Sequence, residues 1–216
     1  MLGRPTDDQM SILAFAQLKG GTGKSTTAIH MAVALQAHGL EVAVVDTDPQ
    51  GSTAMWSEAR GDASPCVVAL SPRHLQQWLA ENEHQFDIVL VDTPAHDSDT
   101  LADVARFSDL VVILTQPTWL AIAVAIRLRT AFIDHNVNYC ILLSQTPPRL
   151  TSRLRGWIAN YHQLGTVVDA QLAYRMAYQD AIALGLGVTE FEPHGHAANE
   201  VRRAAAWMLR RLEMIP

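Results

Sequence analysis

The sequence predicts a single α/β domain, a doubly wound and mostly parallel sheet with helices on both faces. Short apolar runs alternate along the chain with longer amphipathic stretches, the pattern of repeated βαβ units. Three segments bearing charged or glycine-rich chemistry each follow one of those runs, where sheets of this kind bind ligands. A chain of 216 residues that is 49% apolar suits one domain with a substantial core.

In chain order, residues 12–17 read as a short buried strand. Residues 25–38 read as a helix, with Gly39 placed to end it. Further strands are expected at 42–45, 66–70, 88–91, 110–115 and 140–144, and the segment 166–168 adds one more. Helices fit at 72–84, 100–107, 120–134, 150–163, 175–184 and 197–212. Residues 1–10 are expected to form a flexible extension of the domain, which otherwise spans 1–216.

Several classes are disfavoured by composition. The apolar run 119–126 is among the longest and stops at Arg127, far short of a membrane span. The start of the chain lacks the basic-then-apolar order of a secretion signal. Cys66 and Cys140 make neither a disulfide framework nor a metal-ligand spacing, so a cytoplasmic location is expected. The net charge is −6, but it is unevenly spread. Residues 1–126 carry six Lys+Arg against fifteen Asp+Glu, and residues 127–216 carry ten against seven. A polyanion contact is therefore expected in the C-terminal part, the alternative being a mixed solvated surface.

The first chemical segment is Lys19-Gly20-Gly21-Thr22-Gly23-Lys24-Ser25-Thr26, between a strand and a helix. Its glycines let backbone N–H groups approach phosphate oxygens, and the helix N-terminus adds partial positive charge. In such a loop Lys24 reaches the β- and γ-phosphates, the Ser25 hydroxyl binds Mg2+ and Thr26 meets the α-phosphate. Leu18 stands where the strict P-loop pattern wants glycine. Both lysines of the chain lie in this loop, and the other fourteen basic residues are arginine. The second segment is Asp46-Thr47-Asp48-Pro49-Gln50-Gly51, two carboxylates close enough to repel unless cations sit between them. In the third, four apolar residues end in Asp92-Thr93-Pro94, a Walker B pattern that holds Mg2+, often through water. The residues after it, His96 to Asp99, read as a mobile loop with His96 solvated.

The loop beginning Lys19-Gly20-Gly21 resembles the deviant Walker A loop of the ParA/MinD family of ATPases. Asp46-Thr47-Asp48-Pro49-Gln50 resembles that family's switch I, and Asp92-Thr93-Pro94 its switch II. The likeness is greatest to short plasmid-partition ATPases (ParA/ParF-like), which is expected of a chain without a winged or helix-turn-helix domain before the loop. The resemblance implies a slow, Mg-dependent P-loop ATPase that closes as an ATP-bound homodimer. Lys19 then crosses to the partner subunit's nucleotide, Asp48 orients the attacking water, and Asp46 lies near the magnesium shell. It also implies nonspecific DNA binding on the nucleoid, a small ParB/ParG-like centromere-binding partner, and plasmid or chromosome segregation. DNA contacts then fall on Arg149, Arg153 and Arg155, or on Arg202, Arg203, Arg210 and Arg211. Two departures stand out: Ala121 replaces an acid of the family after Gln116-Pro117-Thr118, and Ser144-Gln145 replaces Asn-Arg or Thr-Arg near the adenine, leaving Gln145 to read its edge.

Other readings of the same residues are a related ATPase positioning a non-DNA protein cargo, and a MinD-like membrane regulator. The stripe Val201, Ala205, Met208, Leu209 and Leu212 beside arginines suits either a membrane surface or a core. An Fe–S reductase or ligase of this fold is disfavoured, because Cys66 precedes the Walker B strand and Lys19 is present.

Overall fold

In a computed structural model of the chain, residues 10–95 and 98–216 are described. Seven strands, β1 (Ser11–Ala16), β2 (Val42–Asp46), β3 (Cys66–Ala69), β4 (Ile88–Asp92), β5 (Leu110–Thr115), β6 (Tyr139–Thr146) and β7 (Val167–Ala173), form one sheet in the order β3-β2-β4-β1-β5-β6-β7. Every pairing in it is parallel. The helices are α1 (Lys24–Gln36), α2 (Ser52–Arg60), α3 (Leu75–Asn82), α4 (Ser98–Phe107), α5 (Trp119–Asp134), α6 (Ser152–His162), α7 (Met176–Ala183), α8 (Val188–Phe191) and α9 (His196–Arg211).

Period-two alternation splits the strands between two cores. Leu13 and Phe15 of β1 pack with α1, α7 and α9 on one face, whereas Ala14 and Ala16 pack with α3, α4, α5 and α6 on the other. The central strands are buried on both faces, which explains their near-continuous apolar runs. Beyond the carboxyl ends of β1, β2 and β4, adjacent at the middle of the sheet, the three chemical segments converge.

The structure corrects several expectations. The last strand runs to Ala173, well past 168, because Asp169 and Gln171 point outward while Ala170 and Leu172 point inward. Alternation of that kind marks an edge strand. Helix α2 is not among the elements the periodicity predicts; only Thr53 and Trp56 of its nine residues are buried. Ser98 and Asp99 open α4 rather than a mobile loop, while the expectation for His96 and Asp97 lies outside the described residues. The expected extension 1–10 also lies outside them, save Met10, which is buried in the core. The apolar stripe of α9 packs inside: Val201, Ala205, Met208 and Leu209 are all buried, and Leu212 packs against them. No helix among the described residues is long and apolar enough to cross a membrane.

Candidate functional site

The phosphate loop is held from beneath by side chains of the strands around it. Gln17, fully buried, donates to the Leu114 carbonyl at 3.1 Å and accepts from the amides of Leu18 and Lys19. Ser144 Oγ donates to the Thr22 carbonyl at 2.8 Å. Gly21 and Gly23 take φ values of +73° and +90°, which side-chain-bearing residues rarely adopt. Helix α1 then starts with a glycine cap and without an acidic residue in its first turn. Its first amides therefore lack a side-chain acceptor, an arrangement suited to an anion.

Opposite the loop stand the three carboxylates. Burial lowers the pKa of Lys24, while the charges of Asp92 and Asp48 raise it. Asp92, in register with Asp46 across β2 and β4, is fully buried. Burial pushes its carboxyl up to about 6, against the pull of the adjoining Ser25 hydroxyl; nearby Asp46 raises it further. Its Oδ2 accepts from Thr53 Oγ1 at 2.9 Å, but Oδ1 is buried without a hydrogen-bond partner among the described residues. An orphaned buried carboxylate oxygen beside a serine hydroxyl fits a hydrated divalent cation. Among the described residues no three His, Cys, Asp or Glu side chains cluster as a metal cage, so such a cation needs phosphate oxygens and water to complete its shell.

Asp46, expected near the magnesium shell, lies in register with Asp92 and is held by backbone amides. Its Oδ1 accepts from the Asp48 amide at 3.0 Å, and its Oδ2 accepts from the amides of Thr53 and Ala54 at 3.0 and 3.2 Å. Both oxygens are thus given to backbone, and the carboxylate serves as an anion at the start of α2. Asp48 is half-buried and accepts from the Gln50 amide at 2.9 Å.

A cleft of 580 Å³ opens between these groups, lined by residues 20–26, Asp48, Gln50, Trp56, Gln179 and Ile182 among others. Beside it a smaller cavity of 80 Å³ is lined by Thr26, His30, Gln145, Tyr174, Arg175 and Tyr178, among others. Sequence reasoning missed Trp56, Gln179 and Tyr174, as well as Glu200, which organises this side. Glu200 accepts from Arg175 at 2.7 and 2.9 Å, from Tyr178 Oη at 3.0 Å and from the Ala173 amide at 3.0 Å. Helix α2 is tied across the cleft to the turn after α7. Arg60 makes a two-pronged pair with Glu190 and donates to the Gly185 carbonyl, while the Trp56 indole donates to Leu186.

The two lysines part company. Lys24 lines the cleft; Lys19 does not, and its ammonium donates to Gln116 Oε1 at 3.2 Å. Of the arginine candidates, Arg149, Arg153 and Arg155 are exposed, and their guanidiniums make no hydrogen bond among the described residues. Arg202 and Arg203 instead donate to the carbonyls of Pro193 and Asp169 at 2.6 and 2.7 Å, and Arg211 donates to Asn138.

Residues 13–206 match the family described as the CobQ/CobB/MinD/ParA nucleotide binding domain. The chain is 32% identical over 208 residues to Maintenance of carboxysome distribution protein A of Gloeobacter kilaueensis, covering 94% of this chain and 88% of that one. To Protein ParA of Rhizobium radiobacter it is 24% identical, covering 93% and 95%. Its fold matches the ATP complex of a Cyanothece McdA variant with a TM-score of 0.78 at 14% identity, over 96% of this chain and 98% of that one. A match across nearly the whole chain, together with a phosphate loop, a buried Walker B aspartate and a second lysine, makes this protein an ATPase of the CobQ/CobB/MinD/ParA nucleotide-binding family.

Proposed function

We propose that this ATPase positions cargo by closing and opening as a homodimer over two ATP molecules. The observation that carries the reading is the placement of Lys19. Its ammonium stands outside the cleft of its own subunit, on a loop that reaches the molecular surface at Gly20 and Gly21. A second copy facing that surface brings each Lys19 to the partner subunit's γ-phosphate. Trp119 and Leu120, largely exposed at the start of α5, add apolar surface beside Gln116 for such a contact.

Within one subunit the proposed division of labour follows the geometry. The loop amides of residues 20–24 cradle the β-phosphate, Lys24 pairs with the β- and γ-phosphates, and Thr26 meets the α-phosphate. Ser25 and Asp92 would hold Mg2+, Asp92 through water, and the ion would neutralise charge on the β- and γ-oxygens. Asp46 positions switch I by anchoring α2. Asp48 orients a water in line with the γ-phosphorus; attack forms a P–O bond to that water and breaks the bond to ADP. Gln145 lines the cavity beside Thr26, its amide bonded to Gln116 and Gly21 rather than left free for an adenine edge. Loss of the γ-phosphate removes the contacts that order the switches, and the pair opens.

The proposed track is nonspecific DNA, met by Arg149, Arg153 and Arg155 more than by Arg202 and Arg203, whose guanidiniums are engaged internally. A small basic or DNA-binding partner protein, ParB/ParG-like for a plasmid or chromosome, would stimulate turnover. A protein compartment as cargo is the second reading, favoured by the 32% identity to a relative named for carboxysome distribution. The buried stripe of α9 speaks against a membrane track.

Lys19→Gln tests the reading. The variant is expected to bind ATP as tightly as the unchanged protein and to lose the rise of specific turnover with protein concentration. Turnover that still rises with concentration in Lys19→Gln removes the trans lysine. Asp48→Ala is expected to hold ATP and accumulate as a dimer by light scattering; a monomer at saturating ATP counts against its role.

A further inference from the structure

Lys19 is held by something specific. Its ammonium donates to Gln116 Oε1 at 3.2 Å. Gln116 Nε2 donates to Gln145 Oε1 at 2.7 Å, and Gln145 Nε2 donates to the Gly21 carbonyl at 2.7 Å. The three bonds run head to tail from a lysine of the loop, across the ends of β5 and β6, back to a glycine of the same loop. Chemistry fixes their direction. An ammonium only donates and a carbonyl only accepts, so one orientation of the two amides satisfies every member.

The backbone is arranged to make this chain. Gln145 sits at a register shift between Ser144 and Thr146, and its φ is +50°. Left-handed backbone at a non-glycine residue costs energy and persists only where its surroundings demand it. The irregularity leaves the Gln145 side chain exposed and free to fold back over Gly21, while Thr146 returns to the sheet. Gln116 is pinned from below, because its carbonyl accepts from the buried Tyr161 hydroxyl at 2.8 Å. Neither glutamine supplies charge to a phosphate, and both are solvent-accessible.

We infer that Gln116 and Gln145 form an amide latch that parks Lys19 on its own subunit and sets how readily it is released toward a partner. The inference rests on the proposal that Lys19 acts across a dimer. Releasing Lys19 breaks the first bond and removes the cation that polarises the other two. The grip on Gly21, the exposed crest of the loop, weakens in the same step. Gln145 is a positioning residue here: it acts on Lys19 through Gln116 without touching it.

The chain has only two lysines, so protein labelled with 13Cε-lysine gives two side-chain resonances, and Lys19→Gln identifies one of them. In nucleotide-free protein, Gln116→Leu and Gln145→Leu should each move and sharpen the Lys19 resonance. At saturating Mg-ATP, both should lower the protein concentration that gives half-maximal specific turnover: Gln145→Leu by about threefold to tenfold, the worth of one neutral hydrogen bond, and Gln116→Leu by about tenfold or more, because its bond is to a charged ammonium. Gln116→Glu should raise that concentration by at least as much, because a carboxylate grips Lys19 with charge. Opposite shifts from two substitutions at one position are the signature of a latch; a merely structural role moves both the same way. The inference is overturned if Gln116→Leu and Gln116→Glu shift the midpoint in one direction. It is overturned equally if Gln145→Leu leaves the Lys19 resonance unmoved. If Lys19→Gln retains concentration-dependent turnover, the trans lysine falls, and the resonance in nucleotide-free protein still decides whether the latch exists.

Discussion

The phosphate wall of the cleft draws its polar groups from two short stretches, residues 20–26 and 46–53, with Asp92 between them in the sheet. The wall of the neighbouring cavity, at the ends of β6 and β7, draws them from Gln145, Tyr174, Arg175 and Tyr178, organised from α9 by Glu200. On the first wall, backbone amides and glycine dihedrals set the geometry, and few side chains can be exchanged. On the second, side chains far apart in sequence hold one another, and several solutions fill the same space. Chemistry that must meet triphosphate oxygens is therefore specified locally, whereas the neighbouring cavity is specified by tertiary structure.

The largest effect should come from the first wall. Lys24→Ala removes the buried cation that faces Asp92 and Asp48. Loss of one preorganised charge at a transferring phosphoryl group costs on the order of 100-fold to 1,000-fold in turnover. Phosphate release under saturating Mg-ATP measures it. A loss below about tenfold would mean that Lys24 is not the cation on the transferring group.

Next in size is a pH effect at the base of the second wall. His30 is buried, accepts from the Val188 amide at 3.0 Å and donates to the Tyr178 carbonyl at 3.1 Å. Burial outweighs the Tyr178 bond and lowers its pKa from 6.5 to about 4. The unfolded chain takes up a proton near pH 6.5 that the native imidazole refuses until about pH 4. Stability is therefore complete above 6.5 and falls as pH falls through that window, by about 3 kcal/mol. His30→Gln can accept from Val188 and donate to Tyr178 without titrating. Urea unfolding across this range should give a flatter curve for the variant. Parallel curves would show that the wall does not depend on a neutral His30.

These two residues also show what the sequence made legible. Lys24 was readable because Gly-x-Gly-Lys-Ser between a strand and a helix has one chemical use. The parallel sheet and Asp92 followed from period and position in the same way, whereas the strand order appears only in the fold. His30 could not be read, since its partners lie 148 and 158 residues away. Asp46 was readable as a carboxylate near the site but not as an anchor for α2, because its acceptor role appears only once Thr53 and Ala54 turn their amides toward it. Helix α2 itself left little periodic signal with two buried residues, and its hold on the structure comes from Arg60 and Trp56 reaching residues 185–190.

A smaller effect should come from Glu200→Gln. The neutral amide keeps an acceptor for the Ala173 amide but loses the charge that holds Arg175 and raises its pKa. If the cavity beside Thr26 takes part of the nucleotide, the loosened Arg175 should raise KM for ATP by about fivefold to tenfold, roughly one charge-assisted hydrogen bond. The turnover number should stay within about a factor of two. A fall in kcat at constant KM would place Glu200 in the chemistry of the phosphate wall instead.

The smallest expected effects lie outside the cleft, where the arginines divide in the same manner. Arg149, Arg153 and Arg155 follow β6 on a loop and the start of α6, exposed and with no guanidinium hydrogen bond among the described residues. Arg202 and Arg203 are exposed on α9 but spend donors on nearby carbonyls, and Arg203 lies 3.6 Å from the Asp169 carboxylate. A phosphate contact contributes about −0.9 to the slope of log affinity against log salt. Replacing Arg149, Arg153 and Arg155 together with alanine should therefore flatten the slope for ATP-dependent DNA binding by about two to three units. Replacing Arg202 and Arg203 should change it by less than one, since an arginine already committed within the fold gains less from a phosphate. Fluorescence anisotropy on a random duplex from low to physiological salt reads both slopes. If the α9 pair carries the larger share, those internal bonds break on binding, and the track lies along α9 rather than at the end of β6.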